Sequence, residues 1–389
     1  MLHFFHLPYI VAMNIADYFA PYIPKSSHLI NEKFGAVIEQ YINVEAPDLS
    51  VYDVFIMGVP DGRLSSGNEG CALAPSEIRN QLYDLYKGDW NMKLLDLGNL
   101  KIGHTIEDTY SVLKTISQFF AHKSKPLIVL GGGHDLITPL FQGYSSLGKP
   151  LSFASADAYL DFQDHDAYHS RSFLSKLVSS PSSLLSKYSL FAYQSYLCAP
   201  MEVNLLKNMD FKLIRLGEFN KDYSELEPYI RDLDHLSIDL SVIKASDAPA
   251  TPYSSPNGIS AEAICTLLRY AGMSQGIKSV LFAELNPSLD KKSQSAKVYA
   301  QAIWYFMEGL ELRYDDFPDL NSENYKKFHV DAGFSELIFY KSNSSGRWWV
   351  ELIKPGNTSA ISLLPCSVND YNKALEGFIS DRLLIHLKF

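Results

Sequence analysis

Eight short apolar runs, mostly spaced by segments long enough to form helices, constrain this chain more than any other feature. They lie at 54–58, 94–97, 126–130, 151–156, 189–193, 212–216, 236–240 and 280–284. Short apolar runs without polar alternation suit strands buried on both faces. Strands that alternate with helices predict a mostly parallel sheet covered on both sides, a three-layer α/β/α fold. A chain of 389 residues, 47% hydrophobic and 20% charged, has the material for one large core of this kind. In such a sheet, ligands are met at the carboxyl ends of the strands.

The pattern divides the chain into three parts. Residues 1–50 form an N-terminal extension with a short helix over 32–41. Residues 51–312 carry the strand–helix alternation. Residues 313–389 form a C-terminal appendage. In that appendage, 315–327 reads as a polar linker, and 335–340 with 347–353 as a β-hairpin around a turn rich in Ser, Asn and Gly. A further strand at 363–366 and a short helix at 369–376 follow. The hairpin carries Trp348 and Trp349, which read either as core or as an exposed contact surface.

The unusual polar residues stand where strands end. Gly131-Gly132-Gly133-His134 follows the run at 126–130, and the glycines allow a sharp turn that aims one imidazole. Asp157 and Asp161 follow 151–156. Asp239 lies within 236–240, where a carboxylate is costly unless paired or metal-bound. Glu284 ends the run at 280–284, just before Asn286-Pro287. One imidazole and several carboxylates suit a borderline to hard divalent ion such as Mn²⁺ or Zn²⁺, which could lower the pKa of a water molecule. Each cluster also has a plainer reading, as a satisfied loop His, solvated acids or a helix cap.

In order and spacing, these elements resemble the arginase (ureohydrolase) superfamily over roughly residues 50–312. The resemblance rests on Gly58-Val59-Pro60, Ala74-Pro75 with Ile78-Arg79, Asp96-Leu97-Gly98, Gly131–His134, Asp157–Asp161, Asp239–Ser241 and Glu284–Pro287. Within the superfamily the chain looks most like formimidoylglutamase-type proteins of a Bacteroidetes kind. The resemblance implies hydrolysis of a linear amidine or guanidino C–N bond by two Mn²⁺ ions held by six side chains. His134, Asp157, Asp161 and Asp239 match four of the six. Tyr159 stands where a His is expected, and Ser241 where an Asp is expected. Both departures fall on the private ligands of one ion. At most one Mn²⁺ is therefore expected, or none, because neutral Tyr and Ser are poor ligands for it. The resemblance further implies that Glu284 pairs with the substrate cation and that His169 moves protons, with His165 as its rival.

Two readings stay open. The chain is a weakly active or inactive C–N hydrolase of the arginase, agmatinase or formimidoylglutamase class, acting on a small amidine or guanidino ligand. Alternatively it is a degenerate member that binds a ligand or protein without hydrolysis. Net charge is −10 and no basic stripe is visible, which argues against nucleic acid. No apolar run reaches the roughly 18 residues of a membrane span. The four cysteines are far apart without metal or disulfide spacing. With an N-terminus lacking a basic leader, they point to the cytoplasm. Substrate and oligomeric state, including a homo-oligomer, are not legible.

Overall fold

A computed structural model describes residues 15–384 except 26–29, 42–47, 164–167, 181–182, 315, 319–321, 333–335 and 354–360. The apolar stretch at 1–13 and His165 lie outside the described residues. The strands of the larger sheet are β1 (Phe19–Ala20), β2 (Glu39–Gln40), β3 (Val54–Gly58), β4 (Leu94–Leu100), β5 (Leu127–Leu130), β6 (Leu151–Ala156), β7 (Leu185–Tyr193), β8 (Lys212–Arg215), β9 (His235–Asp239) and β10 (Ser279–Ala283). All eight apolar runs are strands. Their order is β1-β4-β3-β5-β10-β9-β6-β7-β8, with β2 also on β4. Among the described strands of this larger sheet, only the β1–β4 pair is antiparallel.

That order brings β5, β10, β9 and β6 side by side at the centre. These are the strands whose carboxyl ends lead into His134, Glu284, Asp239 and Asp157. Helices Ala74–Leu82, Ala261–Met273 and Gln294–Glu311 bury Ile78, Leu267 and Phe306 against one face. Helices Ile106–Lys123, Ile137–Ser145, Phe173–Ser179 and Pro200–Asn208 bury Ile116, Leu140, Leu174 and Leu206 against the other. The result is the three-layer α/β/α arrangement. No helix among the described residues is long and apolar enough to cross a membrane.

Local chemistry explains several element ends. Thr105 and Asp108 form a reciprocal capping box that starts the helix Ile106–Lys123. The expected helix at 32–41 shrinks to Phe34–Val37, with Gly35 inside it and no side-chain cap at Lys33. The chain then turns extended and pairs with β4, where the edge of the sheet offers backbone partners. Arg79 reaches from its helix to β4 and binds Asp96 through two nitrogens, at 2.6 and 2.9 Å. This buried fork explains why Arg79 and Asp96 appear in the sequence pattern. They join helix to sheet.

The C-terminal part is more than a hairpin. It is a four-stranded antiparallel sheet of β11 (Tyr325–Asp331), β12 (Glu336–Ser342), β13 (Trp348–Ile353) and β14 (Ile361–Cys366). β11 begins inside the stretch that reads as a linker. It is an edge strand in which Lys326 and Lys327 are both exposed and only Val330 is buried, so it shows no apolar run. Val330, Leu337, Phe339 and Val350 give this sheet a core of its own. Trp348 and Trp349 are buried, which removes them as a contact surface. Arg231 of the larger domain donates to the Trp348 carbonyl at 2.8 Å and lies 4.5 Å from the Trp349 ring centroid. Glu227 bridges Arg231 and Arg347, so a buried charge network ties the two parts together.

Candidate metal centre

The central strand ends converge on one point. His134, Asp157, Asp161 and Asp239 each offer a ligand atom, and these atoms lie within 4.8 Å of one another. All four side chains are buried. His134 Nδ1 sits 3.0 Å from Asp161 and 3.4 Å from both Asp157 and Asp239.

Backbone geometry sets this up. The glycine run lets the chain after β5 pass tightly against the loop at Asp61. A Cβ on Gly132 would stand 1.8 Å from the Asp61 carbonyl oxygen, so no other residue fits there. His134 then enters a short helical turn. Asp161 and Glu284 both adopt left-handed backbone, with φ of 49° and 62°. Such conformations are uncommon for these residues and concentrate at functional sites. The turn at Glu284 also ends β10 one residue early, leaving Glu284 beyond the ladder.

Hydrogen bonds fix the orientation of each group. His134 Nε2 pairs with Ser237 Oγ at 2.8 Å, and Ser237 Oγ in turn with Ser155 Oγ at 3.0 Å. With Nε2–H donating to Ser237, Nδ1 keeps its lone pair for the carboxylate side. Asp157 Oδ1 accepts from the Tyr159 backbone N–H and the Ser241 hydroxyl, at 2.9 and 3.1 Å. Asp157 Oδ2, by contrast, is buried with no hydrogen-bond partner. An orphaned carboxylate oxygen beside an imidazole and two further carboxylates is a donor set that fits a divalent cation.

The protonation behaviour agrees. Burial pushes Asp157 up to about 7, the Asp161 charge adds to this, and His134 opposes it. Burial disfavours the His134 imidazolium, but the three carboxylates beside it outweigh this and raise it well above the usual value. Without a cation, the cluster therefore holds protons.

Glu284 is brought next to the cluster but is held differently. It accepts from Ser65 Oγ at 2.7 Å, Asn68 Nδ2 at 2.7 Å and the His134 backbone N–H at 2.9 Å. Burial, then the Asp239 charge, raise it to about 8. His169 caps the turn Ser170–Ser172, and its Nδ1 accepts from the Arg171 backbone N–H at 3.2 Å. It is not one of the four clustered residues.

Tyr159 and Ser241 surround the same carboxylates without adding acid or imidazole. Ser241 bonds Asp157, and the Tyr159 ring stacks on Arg171, whose guanidinium carbon lies 3.7 Å from the ring centroid. Arg171, Ser237, Ser65 and Asn68 were not legible as site residues. Ser65 and Asn68 lie in the Gly-rich loop at 61–70, more than 200 positions from Glu284, and no local periodicity signals such a pairing.

Residues 52–308 match the Arginase family. The chain belongs to the arginase family. Among curated relatives of this arginase-family chain is the formimidoylglutamase of Hahella chejuensis, 29% identical over 264 residues, covering 61% of this chain and 78% of that one. The formimidoylglutamase of Legionella pneumophila is 26% identical over 250 residues, with the same two coverages. The fold is shared with solved structures. Trypanosoma cruzi formiminoglutamase, solved with Mn²⁺, matches with TM-score 0.62 and 21% identity, covering 68% of this chain and 95% of that one. Bacillus subtilis formimidoylglutamase matches with TM-score 0.62 and 15% identity, covering 77% and 93%.

Proposed function

We propose that this arginase-family chain holds a single divalent ion, Mn²⁺, through His134, Asp157, Asp161 and Asp239, on a formimidoylglutamase-like scaffold whose second ion position is lost. Hydrolysis of small linear amidines or guanidines is then weak or absent. One observation carries the reading. Asp157 presents an unpartnered oxygen on the His134 side, while its other oxygen is taken by the Ser241 hydroxyl and the Tyr159 backbone.

When bound, the ion supplies Lewis acidity and a water of lowered pKa. The chain's own residues do the rest. Ser237 fixes the His134 ring, and the three carboxylates set the charge. Glu284, with three of roughly four acceptor positions filled, keeps one toward a substrate cation. His169, at the start of a turn, relays a proton. A single ion forgoes the two-ion clamp on the reacting atoms, which underlies the weak activity.

A second reading, a ligand- or protein-binding member without catalysis, is favoured by Arg171. Its guanidinium lies over Tyr159, and the cavity beside it is only about 20 Å³. Association with a further copy or another protein belongs to this second reading.

The test is metal content per chain after loading with Mn²⁺ and desalting, with a screen of arginine, agmatine, guanidinobutyrate and formimidoylglutamate. One ion with slow or no turnover is expected. Two ions with brisk turnover of any substrate would overturn the reading, and no ion would favour the binding scaffold.

A further inference from the structure

Among the described residues, Arg171 is the only Lys or Arg that pairs with a carboxylate of the cluster. Its Nε lies 3.9 Å from Asp161 Oδ1, while Asp161 Oδ2 lies 3.0 Å from His134 Nδ1. Asp161 therefore turns one oxygen to the imidazole and the other to the guanidinium. Two rings hold that guanidinium, whose carbon is 3.7 Å from the Tyr159 ring centroid and 4.8 Å from that of Tyr253. The Tyr253 hydroxyl is itself tied to the Ser66 carbonyl. The backbone is pinned as well. Ser170 N–H donates to the Leu64 carbonyl, Arg171 N–H to His169 Nδ1 and Gln163 N–H to the Arg171 carbonyl. Burial works against the charge of Arg171, but Asp161, then Tyr159, Asp157 and Asp239, outweigh this and raise it above its ordinary value. The guanidinium thus feels all three carboxylates. With its side chain 22% exposed, salt screens it less than a charge at the open surface.

We infer that Arg171 is a built-in counter-cation that sets the charge of the ion the cluster takes. Asp157, Asp161 and Asp239 bring three negative charges. A divalent ion supplies two positive charges and Arg171 the third, with His134 neutral as a ligand. Glu284 is compensated apart, by the Ser65 hydroxyl, the Asn68 amide and the His134 backbone N–H. A trivalent ion, or a second divalent one, would leave surplus positive charge in a buried site, which is costly. Repulsion grows with the product of the charges, so Arg171 disfavours a trivalent ion more than a divalent one. The inference rests on the proposal that these four residues hold a divalent ion, and it adds what selects that charge.

The experiment is calorimetric titration of the full, metal-free chain with Mn²⁺ and, separately, with Tb³⁺, at one pH and one ionic strength. Wild type is compared with Arg171→Met and Arg171→Lys, each checked for folding by circular dichroism. Arg171→Met should bind Mn²⁺ about tenfold more tightly and Tb³⁺ about thirtyfold more tightly, because the repulsion removed scales with the charge of the ion. Arg171→Lys keeps the charge and should stay within about threefold of wild type for both ions. A purely structural role would move the two ions alike and would not be rescued by Lys. Equal gains for the two ions, no gain in a folded Arg171→Met, or Arg171→Lys behaving like Arg171→Met would overturn the inference. The outcomes separate it from the one-ion reading. One Mn²⁺ in wild type with no gain in Arg171→Met sinks the counter-cation alone. No ion in wild type but one in Arg171→Met sinks the one-ion reading and supports the counter-cation. No ion in either sinks both. Should Arg171→Met fail to fold, Arg171→Gln carries the same expectations.

Discussion

Ser237 shows how much a single hydroxyl can decide here. It holds His134 Nε2 and so presents Nδ1 to the carboxylates. Ser237→Ala should lower Mn²⁺ affinity by about 10–100-fold, the usual effect of losing a partner behind a ligand. Calorimetric titration of the metal-free chain reads this directly, and unchanged affinity would place the ion elsewhere. The proposed loss of the second ion position also turns on single residues. Tyr159→His with Ser241→Asp would place an imidazole and a carboxylate beside Asp157 and Asp239. The double variant should hold about one more ion per chain by elemental mass spectrometry. No gain would mean these positions do not correspond to ligands of a second ion. The four clustered residues were legible because each is a polar residue at the end of an apolar run. Their supports were not, because Ser237 and Ser65 look like ordinary serines in sequence.

Elements are joined by buried ionic forks as well as by apolar packing. The Arg79–Asp96 pair links the helix Ala74–Leu82 to β4, and Tyr83 adds a hydroxyl to the same carboxylate. Asp96→Ala leaves a fully buried guanidinium without its charge partner. The loss should be about 3–5 kcal/mol, seen as an earlier denaturant midpoint. A change below about 1 kcal/mol would mean that Asn99 and the Gly98 carbonyl, which also accept from Arg79, suffice. The strands of the larger sheet were legible because both faces are buried, which writes a continuous apolar run. β11 was not, because this edge strand is largely exposed, with two adjacent lysines and only Val330 buried, so no apolar run is written.

The whole molecule should respond to pH through its unneutralised site. Asp157, raised to about 7, and Glu284, raised to about 8, hold their protons more tightly folded than unfolded. For such raised acids, stability is highest below the unfolded value and falls as pH climbs to the folded one. His134, also raised, contributes stability that is complete below its unfolded value and lost as pH rises through the folded one. All three act in one direction, so the metal-free chain should melt lower at about pH 8 than at about pH 5.5. A bound cation takes over the role of those protons, so Mn²⁺ should flatten the profile and bind more tightly as pH rises. Thermal melts with and without Mn²⁺ across this range check both. A flat metal-free profile would contradict the assignment of these groups.

The amino-acid sequence alone determined the layered α/β/α architecture, the eight central strands and the polar residues at their ends. Burial on both faces and short apolar length are local properties, readable one segment at a time. Tertiary structure decided the rest. The order β5-β10-β9-β6 sets four distant strand ends side by side, and this adjacency makes a cluster from scattered acids. It also decided that Trp348 and Trp349 are buried, that Glu284 is held by Ser65 and Asn68, and that Arg171 lies between two tyrosines. These are contacts between segments far apart in the chain. No local pattern encodes them, because only the packing of the whole sheet brings the partners within reach.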